Sequence, residues 1–168
     1  MGNKITLFFF AILLISKIFD SSPPPTSFIS TLGNLGKRKN ISIMCSCSKG
    51  KIVLADKNAL ERILNNLIEN AFKYSDSQST INISTKKVKD HLEISVKDSG
   101  RGIPDGEQDF LFDRFYRTAE ARATEEKGSG LGLAIVKNLV NNLNGEVGVK
   151  NAKPQGSIFW FTLPLKTP

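Results

Sequence analysis

Histidine and cysteine are scarce in this sequence of 168 residues. It contains one histidine, His91, and two cysteines, Cys45 and Cys47, in the stretch CSC. One C-x-C pair with no second pair and a single histidine supplies too few ligands for a structural zinc site. We therefore interpret the cysteines as reduced thiols on or beside a strand.

Acidic residues are rare in the first third of the chain. Residues 1–57 hold 8 Lys or Arg against 2 Asp or Glu, whereas residues 58–168 hold 15 against 14. A pI near 9.5 would raise nucleic acid as a partner. Because most of the chain is nearly neutral and no aromatic residues interleave a basic stripe, we favour a membrane-proximal basic segment and expect no nucleic acid.

The sequence lacks an apolar run long enough to cross a bilayer comfortably. The longest run, residues 5–19 of a hydrophobic segment at 1–20, would span about 22 Å as a helix, against about 30 Å of hydrocarbon. No A-x-A cleavage site follows it. The segment fits a short anchor or a signal-like segment, so we expect any membrane contact through residues 5–19.

A Pro/Ser-rich and basic linker is predicted at residues 21–39, before a folded domain at 40–165. If the apolar run does span, Lys37, Arg38 and Lys39 favour a cytoplasmic position for that domain. The expected location is therefore the cytoplasmic face of a membrane, or otherwise the cytoplasm.

The domain at 40–165 shows alternating strand and helix patterns. ISIMC, KIVLA, EVGVK and SIFWFTLP are typical of strands, and TINISTKKV with HLEISVKD predicts a hairpin. Helices are predicted from an N-cap at Asp56 to about residue 74, and at about 131–143. Long helices among strands joined by hairpins predict an α/β fold, a two-layer sandwich whose mixed, mostly antiparallel sheet is covered on one face by helices.

The first predicted helix carries asparagines that helix stability does not explain. At 100° per residue, Asn66, Asn70 and Lys73 share a strip at the edge of the apolar face. Glu69 follows Asn66 by about 300° around the helix, so we expect that it cannot take the place of Asn66. Taken alone, these residues also fit an ordinary amphipathic helix with polar surface side chains.

Four stretches occur in a characteristic order: residues 66–74, DSGRGIP at 98–104, FDRFYR at 112–117, and GSGLGLAIVKNLV from Gly128. Together with the closing PQGSIFWFTLP, they resemble the nucleotide-binding boxes of the sensor histidine kinase catalytic domain, a branch of the GHKL ATP-binding superfamily. The resemblance covers roughly residues 40–165. It implies a Bergerat-type sandwich that binds ATP with Mg²⁺.

The resemblance implies roles for the polar residues. The amide oxygens of Asn66 and Asn70, one turn apart, would bind Mg²⁺ without adding charge that repels phosphate. Lys73 and Tyr74 would reach the phosphates or the ribose, and Asn66, Asn70 and Lys73 would be the catalytic residues. Asp98 would accept a hydrogen bond from the amino group of adenine and repel the carbonyl of guanine, although a plain DSG turn also fits that position.

The resemblance also implies a mobile lid at about 113–128, hinged onto the core by Phe112 and Phe115. Arg117 or Lys127 would touch the γ-phosphate, although a solvated charge run explains either equally well. Gly156 and Ser157 match the last glycine box and would support the base of the lid.

Glycines are expected where the backbone approaches the nucleotide. Gly100 and Gly102 would let the chain pass close under the base. Gly128, Gly130 and Gly132 would end the lid and open the next helix, whose N-terminal amides suit phosphate. The full set of expected nucleotide-binding residues is Asn66, Asn70, Lys73, Tyr74, Asp98, Gly100, Gly102, Ile103, Phe112, Arg117, Lys127, Gly128, Gly130, Leu131, Gly132 and Leu133.

The residue type at position 66 separates the reactions that branches of this superfamily catalyse. Gyrase-like and MutL-like ATPases and anti-sigma serine kinases carry a glutamate there, which activates water or a hydroxyl group. A histidine nucleophile needs less help, because neutral imidazole has a free ring lone pair. The resemblance thus implies an ATP-dependent protein histidine kinase of a two-component system.

The phosphoacceptor is not evident in this sequence. His91 lies in a predicted strand and is not followed by the family's H-E-x-x-T/N-P-like box. Three hypotheses stay open. In the first, the chain phosphorylates a histidine domain in trans, with a response regulator as an indirect partner. In the second, it is an ATP-responsive interaction module without catalysis. In the third, it is a basic membrane- or nucleic-acid-binding protein in which the nucleotide boxes are vestigial.

Overall fold

A computed structural model describes residues 39–46, 53, 55–123 and 128–165. The predicted hydrophobic segment at 1–20, nearly all of the linker, Cys47 and Lys127 lie outside these residues. Within the described part, no helix combines the length and the apolar content that crossing a bilayer requires.

Five strands form one mixed sheet in the order β1-β2-β3-β5-β4. Only β1 and β2 run parallel, and the other neighbours are antiparallel. This confirms the predicted α/β fold and the predicted hairpin. The strands are β1 (Ser42–Ser46), β2 (Thr80–Val88), β3 (His91–Lys97), β4 (Val147–Asn151) and β5 (Ser157–Pro164).

The long helix α1 (Lys57–Tyr74) begins where the sequence predicted. The side chain of Asp56 accepts a hydrogen bond from the Ala59 backbone N–H at 2.8 Å, which satisfies one of the free donors of the first turn. The other end is held by Lys39, whose Nζ donates to the backbone oxygens of Lys73 at 2.7 Å and Ser75 at 3.0 Å. A cation at the last carbonyls of a helix also interacts favourably with the helix dipole.

Two further helices follow, α2 (Ala119–Ala123) and α3 (Gly132–Asn142). The bounds of α3 lie within one residue of those predicted. Helices α1 and α3 pack against each other and against the sheet, and the core lies between these two layers. The pattern did not predict α2, because AEARA is too short for a helical period to show.

One predicted strand is wrong in the part that the structure describes. Val53 forms only a single bridge, with Leu165, and Ala55 lies outside any strand. Val53 is nevertheless buried, with 4% of its surface exposed. At Val53 the apolar pattern therefore indicated burial rather than pairing along a ladder.

Candidate functional site

A cavity of about 300 Å³ lies between α1, the loop after β3 and the segments 111–121 and 128–133. The structure brings most of the predicted nucleotide-binding residues to its wall. Those that line it are Asn66, Asn70, Lys73, Tyr74, Asp98, Gly102, Ile103, Arg117, Gly128, Gly130, Gly132 and Leu133. Gly100, Phe112 and Leu131 do not line it, although each adjoins a segment that does.

The amide of Asn66 has a defined orientation. Its Nδ2 donates to the backbone oxygen of Arg62 at 2.7 Å, one turn earlier in α1. Its Oδ1 faces Gly132, where an added Cβ atom would lie 2.8 Å from that oxygen. The helix therefore occupies the donor half of this amide and presents the acceptor half toward the start of α3.

Lys73 follows Asn70 by three residues on α1 and lies close to the glycine-rich segment that begins at Gly128. A Cβ atom at Gly128 would lie 3.2 Å from Lys73 Nζ, which also lies 5.0 Å from the centre of the Tyr74 ring. Because Gly128 has no side chain, the ammonium group of Lys73 can lie beside the backbone of the glycine-rich segment.

Glu69 also borders the cavity, and the expectation that it cannot take the place of Asn66 stays a prediction. A turn of 300° in one direction is a turn of 60° in the other, which leaves Glu69 next to Asn66 around the helix. Its side chain is exposed at the rim.

Asp98 is a buried carboxylate, with 3% of its surface exposed. Its Oδ1 accepts hydrogen bonds from the backbone N–H groups of Gly100 and Ser157, both at 2.9 Å. Burial raises the pKa of Asp98 above its ordinary value, although these hydrogen bonds act in the opposite direction. Both backbone hydrogen bonds use Oδ1, and the side chain of Ser157 is a further hydrogen-bond partner of this carboxylate.

Two glycines allow close approaches of backbone beside Asp98. A Cβ atom at Gly100 would overlap the backbone oxygen of Tyr74, so this glycine lets the loop pack closely against the end of α1. Gly156 has a φ of 98°, and a Cβ atom there would overlap the backbone oxygen of Asp98. Gly156 and Ser157 thus contact Asp98, and their support of the lid stays a prediction.

The lid segment meets the core through one phenylalanine rather than two. Phe112 is 8% exposed and belongs to the core, but Phe115 is 72% exposed. The ring of Phe115 therefore points to solvent, and the backbone of this residue contacts the core segment that follows the lid. The Phe115 N–H donates to the Gly130 oxygen at 3.0 Å, and a Cβ atom at Gly130 would lie 2.8 Å from Phe115 Cα.

Helix α2 brings further charged groups to the cavity. Arg101 Nε lies 3.1 Å from Glu120 Oε2, and both residues line the wall. Their side chains are 45% and 54% exposed, so this ion pair is solvated. Arg117 donates to the backbone oxygen of Ala121 within the same segment.

His91, the only histidine of the sequence, begins β3 and pairs with Val88 and Pro164. It does not line the cavity. Its place at the hairpin end agrees with the strand predicted from the sequence.

A family model described as histidine kinase-, DNA gyrase B- and HSP90-like ATPase matches residues 55–167. The sensor-like histidine kinase SenX3 of Mycolicibacterium smegmatis is 38% identical over 124 residues, which cover 74% of this chain and 32% of SenX3. The sensor histidine kinase WalK of Bacillus subtilis is 40% identical over 113 residues, covering 66% of this chain and 18% of WalK. The chain thus spans about a third or less of these relatives.

Two solved structures have the same fold. The mycobacterial sensor histidine kinase MprB superposes with a TM-score of 0.70 at 28% identity, covering 84% of this chain and 93% of that one. Full-length ShkA in complex with AMPPNP gives a TM-score of 0.72 at 29% identity, covering 84% of this chain and 29% of that one.

Proposed function

Because this chain belongs to the family of histidine kinase-, DNA gyrase B- and HSP90-like ATPases, we propose that it is the ATP-binding catalytic module of a two-component sensor histidine kinase. It transfers the γ-phosphoryl group of ATP to a histidine supplied outside this chain. One observation carries this proposal. The same cavity has a buried carboxylate, Asp98, in its wall together with the amides of Asn66 and Asn70 and the ammonium group of Lys73.

The base of ATP fits the part of the cavity near Asp98. A buried carboxylate oxygen can accept a hydrogen bond from the exocyclic amino group of adenine, whereas guanine places a carbonyl there. Gly102 and Ile103 line the wall beside it. Gly100, which packs against Tyr74, is still expected to let the backbone pass close under the base.

Mg²⁺ fits the amide side of the wall. Among the described residues, no three His, Cys, Asp or Glu side chains form a metal site, so the protein would contribute the amide oxygens of Asn66 and Asn70. Phosphate and water oxygens would complete the preferred octahedron. When bound, the ion neutralises negative charge on the phosphates.

The phosphates fit the glycine-rich segment and its neighbours. Lys73 and Arg117 supply positive charge to the wall. The segment has three glycines, at which a Cβ atom would crowd a neighbouring group, namely Gly128, Gly130 and Gly132. The first turn of α3, which includes Leu131 as N-cap and Leu133, presents backbone amides that suit phosphate. The remaining predicted contacts are Tyr74 at the ribose or phosphates, Phe112 beneath the lid and Lys127 at the γ-phosphate.

Catalysis by these residues rests on positioning and charge rather than on a strong base. The helix holds the Asn66 amide in one orientation, and Lys73 places a cation beside the backbone that receives phosphate. A neutral imidazole brings its own lone pair to the reaction. The proposed partner in trans is a phosphoacceptor histidine domain, and a response regulator is an indirect partner. The proposed location is the cytoplasmic face of a membrane that residues 5–19 contact.

The proposal is tested by phosphoryl transfer. The full chain is incubated with Mg²⁺ and ATP labelled on its γ-phosphate, together with a separately produced two-helix domain that bears an H-E-x-x-T/N-P box. We expect acid-labile label on the histidine of that domain, and at least a tenfold slower transfer for Asn70→Ala. Asn58→Ala is the matched control, because Asn58 is exposed on α1 and does not line the cavity.

Two results would contradict the proposal. ATP binding without transfer to any acceptor would favour an ATP-responsive interaction module. Release of free phosphate by the chain alone, abolished by Glu69→Gln, would instead indicate an ATPase that uses the carboxylate at the rim.

A further inference from the structure

The connection between β4 and β5 holds the segment that begins at Asp98. The side chain of Asn151, at the end of β4, accepts a hydrogen bond from the Ile103 N–H at 2.8 Å. Its Nδ2 donates to the Ile103 oxygen at 2.9 Å. One side chain therefore satisfies both backbone groups of a residue that is 48 positions away in the sequence.

We infer that Asn151 is a specificity-determining positioning residue, which fixes the base-recognition segment of the cavity through Ile103. This inference rests on the proposed function. The predicted nucleotide boxes do not include Asn151, and no part of the cavity wall is formed by it.

The chemistry of the contact requires an amide. An amide offers a donor and an acceptor on one planar group, and this pair reproduces the double exchange between two opposed residues of an antiparallel sheet. A carboxylate of the same shape would keep the acceptor but would face the Ile103 oxygen without a proton to donate. Among the described residues, Ile103 makes no backbone hydrogen bond to another backbone group, so Asn151 is its anchor.

The neighbouring glycine is fitted to the same amide. Gly102 has a φ of 83°, and a Cβ atom there would lie 3.1 Å from Asn151 Oδ1. Gly102 and Ile103 both line the cavity. Movement of the Asn151 amide would therefore displace two residues of the wall together.

The same connection holds the other end of the segment. The Ser157 oxygen accepts from the Asp98 N–H at 2.9 Å, and the Ser157 N–H donates to Asp98 Oδ1. Gln155 Nε2 donates to the Ser99 oxygen at 3.2 Å. The spacing between the Asp98 carboxylate and Ile103 is thus set by one loop, and this spacing decides which purine fits.

The test compares Asn151→Ala and Asn151→Asp with the wild-type full chain, and Asn58→Ala is the control. Three quantities are measured: hydrogen exchange of the Ile103 amide without nucleotide, the affinities for ATP and GTP, and the melting temperature. For both Asn151 variants we expect at least tenfold faster exchange at Ile103 and an ATP-to-GTP preference lowered about tenfold. The effect of Mg²⁺ on ATP affinity should stay unchanged.

The inference is overturned if the preference stays within about twofold of wild type, and the proposed function then stands. It is also overturned if ATP and GTP affinities fall equally with the melting temperature, since Asn151 would then act on stability alone. If the wild-type chain binds neither ATP nor GTP, both the proposed function and this inference are wrong, whatever the rate of hydrogen exchange at the Ile103 amide.

Discussion

In the proposed binding mode the cavity has a base end at Asp98 and a phosphate end at Asn66, Asn70 and Lys73, and these two ends are built differently. At the base end, Asp98 and Ser157 are 3% and 4% exposed, and backbone hydrogen bonds hold both. At the phosphate end, Asn66, Asn70 and Lys73 are only partly buried on one face of α1. The base end is fixed before any ligand arrives, whereas the phosphate end is assembled from separate segments.

This difference separates recognition from chemistry. A preorganised carboxylate can select a base at little entropic cost, because its neighbours already hold it in place. The phosphate end must accept a cation and charged oxygens, and partly exposed side chains can adjust to them. We therefore expect changes at the base end to alter selectivity and changes at the phosphate end to alter Mg²⁺ dependence.

The largest effect is expected from Asp98→Asn, which breaks the base end. The amide keeps an oxygen for the two backbone N–H groups but places a donor where the adenine amino group must donate. We expect ATP affinity to fall about 100-fold, from the loss of a charged hydrogen bond and the addition of an unpaired donor. Isothermal titration of the full chain measures this.

The control for that change is Asp105→Asn, an exposed aspartate in the same segment. It should leave ATP affinity within about twofold. Equal losses in the two variants would show that net charge, rather than the buried carboxylate, governs binding.

Acidification should act on the same group. Because burial raises the pKa of Asp98, ATP affinity should decline with falling pH earlier than an ordinary aspartate would allow. Without nucleotide the sign reverses: the folded state binds the proton more tightly, so Asp98 lowers stability as pH rises through its raised pKa. Asp98→Asn should therefore melt at a higher temperature than wild type at pH 7, and an equal or lower value would contradict this.

At the phosphate end, Gly132→Ala should move the Asn66 oxygen, since the added Cβ would lie 2.8 Å from it. We expect about a tenfold loss of ATP affinity in Mg²⁺ and little loss in excess EDTA, measured by titration. Stability should be kept, because alanine favours a helix over glycine.

Gly106→Ala provides the opposite case. Its Cβ would meet nothing within 4 Å, but its φ of 82° disfavours a side chain. It should lower the melting temperature and spare ATP binding. If Gly132→Ala also lowers the melting temperature and spares ATP binding, Asn66 is not a ligand of the metal ion.

Lys39→Met tests the support of α1 behind the phosphate end. Removing the ammonium group that caps Lys73 and Ser75 should cost about 1 kcal/mol of unfolding free energy. Chemical denaturation measures this, and Lys87→Met, at an exposed position on β2, is the control. Equal stability of the two variants would mean that the cap contributes nothing.

The smallest effect is expected from Arg101→Gln, which breaks the ion pair with Glu120. Because both side chains are about half exposed, the pair should change ATP affinity by no more than about threefold, and less at high salt. A tenfold change would indicate that α2 closes the cavity more firmly than this contact suggests.

Much of the fold could be predicted from the sequence. The Asp56 cap, the apolar period of α1 and the alternation of β2 and β3 are local signals, and the structure has these elements at the predicted positions. The family match confirms the resemblance drawn from the four stretches. Helix α2 was not predicted, because a helix of five residues is too short to show a helical period in its sequence.

The contacts that support the cavity could not be predicted from the sequence. Asn151 meets Ile103, and Lys39 meets the end of α1, only after the chain has folded. Phe115 is 72% exposed and has a φ of 64°, and no residue pattern signals either property. Motifs identified the residues in the wall, and the tertiary structure decided which neighbours hold them.

The most direct test is one titration of the full chain with ATP and with GTP, each in Mg²⁺ and in excess EDTA. If the two ends act separately, ATP binds more tightly than GTP in both conditions, and removing Mg²⁺ weakens both nucleotides by the same factor. Equal affinity for ATP and GTP, or ATP affinity that does not respond to Mg²⁺, would contradict the division of the cavity into a selective base end and a metal-dependent phosphate end.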